Sequence, residues 1–263
     1  MNKNTLIERW QSTKERITDI ANRQHRNVDD IQLLAVSKFH PSQAISDLVE
    51  AGQTAFGENY VQELQSKAQA LAHLPIKWHF IGPLQSNKCK DIAPIATMIH
   101  SIDRLKLIPL LAQHRPTHLP PLLLLIQVNM DDEASKSGVR HFDEAVELAL
   151  SIQTFPNLKL SGLMSIPSPQ TDPMLQRQAF AKLREWRDRL SLTLAIDLPH
   201  LSMGMSDDLE AAIVEGATIV RIGTAIFGAR LMSWRNDNSA NLITSDDDFL
   251  PQRQQDTGRA FSR

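Results

Sequence analysis

Lys38 stands directly after the apolar run LLAVS, at a position where its amine could act as a nucleophile. A lysine at the end of a buried strand is half surrounded by apolar walls, which disfavour its charged ammonium form. The neutral amine is then available to attack an aldehyde carbon. The alternative is a lysine that ends a strand and points into solvent, so position alone leaves both interpretations open.

Two later segments have the composition of anion-binding junctions between a strand and a helix. RIGTAIFG places Gly223 and Thr224 where backbone N–H groups and a hydroxyl meet the positive end of a helix. LSMGMSDD has the same build, with Ser202 as its candidate phosphate contact, whereas Ser206 is better explained as the N-cap of the next helix. Because α/β barrels often bind phosphate after their last two strands, the pair of junctions indicates a phosphorylated ligand.

Arg221 lies inside an apolar strand, in IVRIG, two residues before Gly223. A buried arginine is unfavourable unless it meets a partner. One interpretation is a donor to the pyridine nitrogen of a cofactor, which would keep that nitrogen unprotonated and weaken the ring as an electron sink. The other interpretation is a salt bridge with a carboxylate of the barrel, such as Glu58 or Asp103.

Other polar residues at strand ends fit a structural role better than a chemical one. Glu58, Asp103 and Asn129 end or follow apolar runs, and we expect them to tie strand ends to loops. Metal chemistry has little support, because the sequence has no HExxH motif and its one cysteine, Cys89, has no CxxC partner. We therefore expect no metal site.

The hydrophobic pattern predicts the elements that would bring these residues together. Residues 5–25 have apolar residues at helical spacing, and from Ile31 onward eight apolar strand segments alternate with helical ones. This alternation is typical of a parallel sheet covered by helices. Eight units are the number that closes a single (β/α)8 TIM-type barrel, here with an extra N-terminal helix, and an open doubly wound sheet is the alternative.

The composition narrows the class of protein. With 28 Lys plus Arg and 30 Asp plus Glu in 263 residues, the chain is nearly neutral, which argues against a nucleic-acid partner. One cysteine excludes an internal disulfide, and no signal peptide or membrane-spanning run is recognisable, so we expect a cytoplasmic protein away from membranes. We assign residues 1–232 to the barrel domain and the polar residues 233–263 to a flexible tail.

Motifs found in order between residues 33 and 230 closely resemble one family. They are LLAVSKFHP, FGENYVQE, WHFIGPLQSNK, SIDR, VNMDDEASKSGV, SGLMSIP, LSMGMSDDLEAAI and VRIGTAIFGAR. The family is that of the pyridoxal phosphate homeostasis proteins, also called PLP-binding barrel proteins. The resemblance implies a fold-type III barrel similar to the N-terminal domain of alanine racemase.

The resemblance also implies pyridoxal 5′-phosphate (PLP) as the cofactor, held as a Schiff base on Lys38 of the AVSK motif. The phosphate contacts would come from the SMGMS and RIGT segments, the ring-nitrogen contact from Arg221, and part of the wall from the GENY motif. The implied cofactor-binding residues are Lys38, Asn59, Ser202, Arg221, Gly223 and Thr224.

The chain departs from the family pattern at a few positions near the implied site. Phe39 and His40 stand where many members carry a polar or basic residue, and Ser165 stands where Ala or Thr is common. These departures leave the cofactor contacts in place and could alter how readily the cofactor is released.

The residues favour a carrier of the cofactor over an enzyme. A racemase needs a base on each face of the substrate Cα, and Lys38 can serve only one face. Tyr60, the one tyrosine, lies at a predicted helix start, and the chain lacks the length for the second domain that supplies the other base in barrel racemases. An open cofactor face weakens the exclusion of water and suits loading and unloading.

We therefore expect a monomeric protein of vitamin B6 and amino-acid homeostasis that supplies PLP-dependent apo-enzymes. Two alternatives stay open at this point. One is a PLP-dependent amino-acid racemase or a related enzyme, and the other is a regulatory protein for which the cofactor is a signal.

Overall fold

The computed structural model describes residues 2–131 and 136–228 of the chain. It begins with helix α1, Lys3–Arg23, where the side chain of Asn2 accepts a hydrogen bond from the N–H of Asn4 and caps the helix. The predicted helix over residues 5–25 is confirmed, and α1 begins and ends two residues earlier than predicted. The apolar side of α1 buries Leu6, Trp10, Ile17 and Ile20.

Eight parallel strands form one closed barrel in chain order, so the predicted barrel is confirmed and the open doubly wound sheet is wrong. β1 pairs with β8 to close the barrel, and Leu34 lies opposite Arg221 in that pairing. The strands are β1 Gln32–Val36, β2 Ala55–Glu58, β3 Lys77–Phe80, β4 Met98–Ile102, β5 Leu122–Gln127, β6 Leu158–Met164, β7 His200–Ser202 and β8 Ile219–Ile222.

A helix follows each strand and packs on the outside of the barrel. Both faces of the sheet are therefore buried, which explains why the strands are nearly continuous apolar runs. These helices are α2 Ser42–Glu50, α3 Val61–Ala70, α4 Cys89–Ile92, α5 Leu107–His114, α6 Phe142–Gln153, α7 Pro173–Leu194, α8 Leu209–Val214 and α9 Thr224–Phe227.

The barrel interior is apolar in one layer and polar in the next. Inward-facing residues recur at every second position of a strand. The next inward-facing residue after Met98 of β4 is therefore His100, and the next one after Ile219 of β8 is Arg221. The polar layer lies on the side where all eight strands end. The apolar layer consists of Leu34, Ala55, Met98, Leu125, Met164 and Ile219.

Helix α1 packs across the first and last units of the barrel, in contact with α2, α8 and α9. Trp10 Nε1 donates to Gln53 Oε1 at 2.9 Å, and the amide of Gln53 donates to the carbonyls of Leu33 and Ala55. This chain of hydrogen bonds ties the additional helix to β1 and β2.

The predicted domain boundary at residue 232 and the predicted tail over residues 233–263 lie outside the described residues, which end at Gly228. Within residues 2–131 and 136–228, no helix combines the length and the apolar composition that crossing a membrane requires.

Candidate functional site

Lys38 lies half-buried in the turn directly after β1, at the end of the barrel where all eight strands finish. The two residues that follow it pack on the ends of two helices. The ring of Phe39 lies 5.2 Å from that of Tyr60, and the ring of His40 stacks on Phe227 of α9 at 4.9 Å. These two contacts place the turn of Lys38 between the start of α3 and the end of α9.

Gly223 and Thr224 lie at the start of α9, as the N-cap and the first residue. A Cβ built on Gly223 would lie 3.2 Å from the carbonyl oxygen of Val36, which is tighter than most real contacts. Because Val36 precedes Lys38 by two residues, the structure brings the predicted phosphate junction beside the predicted lysine. Thr224 is exposed at this end of the barrel.

Arg221 is buried in β8, and its guanidinium makes two hydrogen bonds within the described part of the chain. Nη1 donates to Ser202 Oγ at 2.8 Å, and Nη2 donates to the carbonyl of Ser165 at 2.9 Å. Burial lowers the pKa of Arg221 to about 10, against the opposing effect of Asp208. The side chain therefore stays charged at neutral pH and retains further N–H groups for a ligand.

The carboxylates considered as partners of Arg221 have partners of their own. Glu58 pairs with Lys67 at 2.7 Å, and Asp103 pairs with Arg104 at 2.7 Å. The guanidinium of Arg221 donates to Ser202 and Ser165 instead, so the salt bridge with either carboxylate is wrong. Glu58 links the end of β2 to α3, and Asn129 Nδ2 donates to the carbonyl of Lys136 in the loop after β5. The structural role of Asp103, whose ion pair is with the adjacent residue, stays a prediction.

Two buried histidines extend the Arg221–Ser202 pair across the barrel. His100 Nδ1 lies 2.8 Å from Ser202 Oγ, and His100 Nε2 lies 3.0 Å from His79 Nδ1. Since a guanidinium only donates, Ser202 Oγ accepts from Arg221, and its O–H can donate to His100 Nδ1 in the tautomer that carries no proton on that nitrogen. Burial lowers the pKa of His79 to about 3 and lowers that of His100 as well, so both rings are neutral at pH 7.

Ser202 lies at the end of β7, and its hydroxyl is buried between Arg221 and His100. The structure brings this residue to Arg221, and its predicted phosphate contact stays a prediction. The prediction that Ser206 caps the next helix is wrong. Helix α8 begins three residues later, with Asp208 at its N-cap position, because a turn separates Ser206 from the helix.

Several buried polar atoms near this end of the barrel have no hydrogen-bond partner among the described residues, and two of them directly follow a strand. They are Asn59 Oδ1, directly after β2, and Ser165 Oγ, directly after β6. A buried polar atom left unpaired costs about 1–3 kcal/mol, and a polar ligand that pairs with it removes that cost. These atoms, the amine of Lys38 and the guanidinium of Arg221 fit a ligand with an aldehyde, a ring nitrogen and several polar groups.

Sequence reasoning missed His100, Glu63 and Lys67, whose contacts support the site. His100 is a polar residue within the apolar strand MIHSI, which is the same signal that identified Arg221. Glu63 and Lys67 form an i,i+4 pair on α3, a spacing too common on helices to indicate a special role.

Comparison with known proteins places these features in a family. A family model described as alanine racemase, N-terminal domain, matches residues 13–231. The pyridoxal phosphate homeostasis protein of Pseudomonas aeruginosa is 50% identical over 226 residues, which cover 86% of this chain and 96% of that protein. The protein of the same name from Escherichia coli K12 is 46% identical over 233 residues, which cover 86% and 97%.

Solved structures agree with this assignment. PipY of Synechococcus elongatus PCC7942, solved with PLP bound, has a TM-score of 0.73 and 32% identity, covering 85% of this chain and 100% of PipY. The alanine racemase of Corynebacterium glutamicum is 13% identical and shares the fold, with a TM-score of 0.65 over 88% of this chain and 62% of the racemase. The resemblance recognised in the sequence is confirmed, and the chain belongs to the family of pyridoxal phosphate homeostasis proteins.

Proposed function

We propose that this protein holds PLP reversibly on Lys38 and takes part in intracellular PLP and amino-acid homeostasis. The observation that carries the proposal is the placement of Lys38, whose neighbours pack on Tyr60 and on Phe227 of α9. The backbone of Lys38 follows β1, so it lies at the end of the barrel where all eight strands finish. The names of the relatives at 46% and 50% identity, and the PLP bound by PipY, support this role.

Lys38 supplies the covalent bond. Its neutral amine attacks the aldehyde carbon, a C=N bond forms, and the carbonyl oxygen leaves as water. Addition of water reverses the step and frees the amine. The N–H of Gly223 and the hydroxyl of Thr224 bind the phosphate at the start of α9, and Asn59 lines the wall.

Arg221 sets the electronic state of the bound ring. PLP supplies an electrophilic carbon and an electron-withdrawing pyridine ring. Arg221 donates a hydrogen bond to the ring nitrogen and, with a pKa of about 10, keeps its own proton at neutral pH. The ring nitrogen then stays unprotonated and withdraws electrons weakly, which favours holding the cofactor over carbanion chemistry.

Absorbance of the purified protein tests this function. A visible absorption band should survive gel filtration and be lost in Lys38→Ala, and borohydride trapping with peptide mass spectrometry should locate the added mass on Lys38. Lys77→Ala is the matched control, because Lys77 is an exposed lysine at the start of β3, the opposite end of the barrel. Absence of the band from the unmodified protein, or its survival in Lys38→Ala, would contradict the proposal.

A second candidate function is a PLP-dependent racemase, because the barrel shares its fold with an alanine racemase. Tyr60, the single tyrosine, is 44% exposed and packs against Phe39 beside the site. We propose holding without turnover. Incubation with L- or D-alanine followed by chiral analysis decides between the two functions, since turnover above about 1 per second, typical of enzymes, would establish the racemase.

The partners of this function are also part of the proposal. We propose that the protein acts as a cytoplasmic monomer and that PLP-dependent apo-enzymes accept its cofactor. Sedimentation velocity tests the monomer. Activation of an apo-enzyme is then compared in a shared compartment and across a membrane permeable to free PLP, and equal rates would exclude direct transfer.

A further inference from the structure

The backbone on both sides of Lys38 is held by charged side chains of α3. Lys67 Nζ donates to the carbonyl of Ser37 at 2.7 Å, and the N–H of Phe39 donates to Glu63 Oε1 at 2.6 Å. The side chains of Lys67 and Glu63 are only 3% and 7% exposed, so water competes little for these bonds. Hydrogen bonds with one charged partner are roughly twice as strong as neutral ones.

Glu58 completes this network from the end of β2. Its Oε1 accepts from Ser37 Oγ at 2.6 Å and from Lys67 Nζ at 2.7 Å. Lys67 also donates to Glu63 Oε1 at 2.7 Å, one helical turn away on α3. Glu58, Glu63 and Lys67 are called the Lys67 clamp below, because the ammonium group joins the two carboxylates to the turn that carries Lys38.

The Lys67 clamp lies outside the barrel wall. Ala55 faces the barrel interior, whereas the next residue, Phe56, belongs to the core between strands and helices. Since strand residues alternate between the two faces, Glu58 has the outward orientation of Phe56. The clamp therefore acts on Lys38 through the backbone and supplies no atom to the ligand.

The turn held by the clamp is strained. Phe39 has a φ of +65°, in the left-handed region that costs an L-residue about 1–2 kcal/mol. Its N–H bond to Glu63 and its packing on Tyr60 hold this conformation. A strained backbone persists only where its surroundings over-determine it, which indicates that the position of Lys38 is specified from outside the site.

We propose that the Lys67 clamp positions the amine of Lys38 for covalent bond formation, an inference that rests on the proposed function. A misplacement of about 1 Å can slow such a reaction by about 100-fold. In the step itself, the Lys38 nitrogen bonds to the aldehyde carbon and the carbonyl oxygen leaves as water. Lys67, Glu63 and Glu58 are positioning residues for that step.

Lys67→Met tests the proposal by removing the ammonium group while keeping an unbranched apolar stem. The rate of covalent PLP addition to Lys38, followed by absorbance and borohydride-trapped mass, should fall by about 10- to 100-fold. Affinity for pyridoxine 5′-phosphate, which has no aldehyde, should stay close to the unmodified value. A general loss of packing would lower both the rate of addition and the affinity for pyridoxine 5′-phosphate. A fall in the rate alone therefore identifies a positioning role.

Arg115→Met is the matched control. Arg115 is a buried cation that also binds backbone carbonyls, those of Ala93, Ala96 and Pro120, and it lies near the start of β4 at the opposite end of the barrel. Its loss should lower the free energy of unfolding and leave the rate of addition to Lys38 unchanged. Equal slowing in both variants would overturn the proposal.

Glu63→Gln decides the matter if Lys67→Met does not fold. The amide keeps the shape and an acceptor for the N–H of Phe39 but removes the charge, so a smaller fall in rate with unchanged pyridoxine 5′-phosphate affinity is expected. A folded Glu63→Gln with the unmodified rate would overturn the proposal. If the unmodified protein forms no adduct, the proposed function fails. An adduct that forms in both clamp variants at the rate of the unmodified protein contradicts only this inference.

Discussion

At the scale of single residues, the hydroxyl of Ser202 has two competing interpretations. It lies within hydrogen-bond distance of both Arg221 and His100, inside the barrel. As a support it would orient the guanidinium and act on the ring end of the cofactor. As a phosphate contact it would act together with Thr224 at the other end, so the two roles predict different losses when the hydroxyl is removed.

Ser202→Ala should lower the free energy of unfolding by about 1–3 kcal/mol, because it leaves a buried N–H of Arg221 and the buried Nδ1 of His100 without their partner. It should also weaken PLP binding, since the guanidinium is less well oriented. Chemical denaturation and a PLP titration measure the two effects.

Affinity for inorganic phosphate separates the roles of Ser202. If the serine is a support, phosphate should bind Ser202→Ala as it binds the unmodified protein, as followed by an NMR titration. Thr224→Ala is the comparator and should bind phosphate more weakly. Equal weakening in the two variants would instead establish the phosphate contact of Ser202.

At the scale of elements, the contact between β2 and α3 contains a carboxyl group that titrates near neutrality. Burial raises the pKa of Glu58 to about 7, and the proximity of Lys67 lowers it only in part. In an unfolded chain the pKa of a glutamate is about 4.3. Between about pH 4.5 and 7, therefore, folding takes up a proton at Glu58 and the free energy of unfolding decreases as pH rises.

Glu58→Gln should remove this contribution and flatten the profile of unfolding free energy between about pH 4.5 and 7, with little effect on its slope above about pH 7. Denaturation curves over that range provide the measurement. Glu50→Gln is the control, since the Glu50 side chain is 60% exposed, and its profile should follow that of the unmodified protein. A Glu58→Gln profile parallel to that of the unmodified protein would contradict the prediction.

The junction of β7 and α8 depends on a glycine. Gly204 has a φ of +93°, a Cβ built on it would overlap the Cβ of Ala212, and its carbonyl accepts from the backbone N–H of Arg221 at 3.0 Å. The tight approach holds the predicted phosphate segment against β8.

Gly204→Ala should therefore lower the free energy of unfolding by more than backbone strain alone, which amounts to about 1–2 kcal/mol. Gly52→Ala isolates the strain, because Gly52 has a φ of +104° with nothing within 4 Å of a built Cβ. Chemical denaturation compares the two variants. Equal losses would show that the junction relaxes around the added methyl group.

At the scale of the whole molecule, α1 joins the first and last units of the barrel. Its contacts with α2, α8 and α9 span the closure of β1 on β8, and Trp10 reaches β1 and β2 through Gln53. A substitution that weakens the packing of α1 should therefore lower the stability of the entire barrel.

Trp10→Ala should lower the free energy of unfolding by about 3–5 kcal/mol, because it removes a large buried side chain. Trp10→Phe keeps much of the apolar contact and loses only the bond to Gln53, so its loss should be nearer about 1 kcal/mol. Circular dichroism and intrinsic fluorescence should report one coincident transition in both. Separate transitions would show that α1 detaches from an intact barrel.

The sequence by itself determined the order and type of the elements and the residues that stand out within them. Strand and helix periodicities are local properties, so the eight apolar strands that alternate with helices could be predicted from the sequence. Lys38 and Arg221 were recognisable because a charged residue is unusual in or beside a buried strand. The family motifs added the cofactor and the remaining candidate residues.

Only the tertiary structure decided how these residues support one another. His100 and Ser202 are 102 positions apart, and Lys67 and Ser37 are 30 apart, so neither contact has a local signal. Closure of β1 on β8 and the packing of α3 on the strand ends bring them together. The sequence thus identified a candidate lysine and a buried arginine, and the fold determined what holds each in place, because those contacts exist only once the barrel has closed.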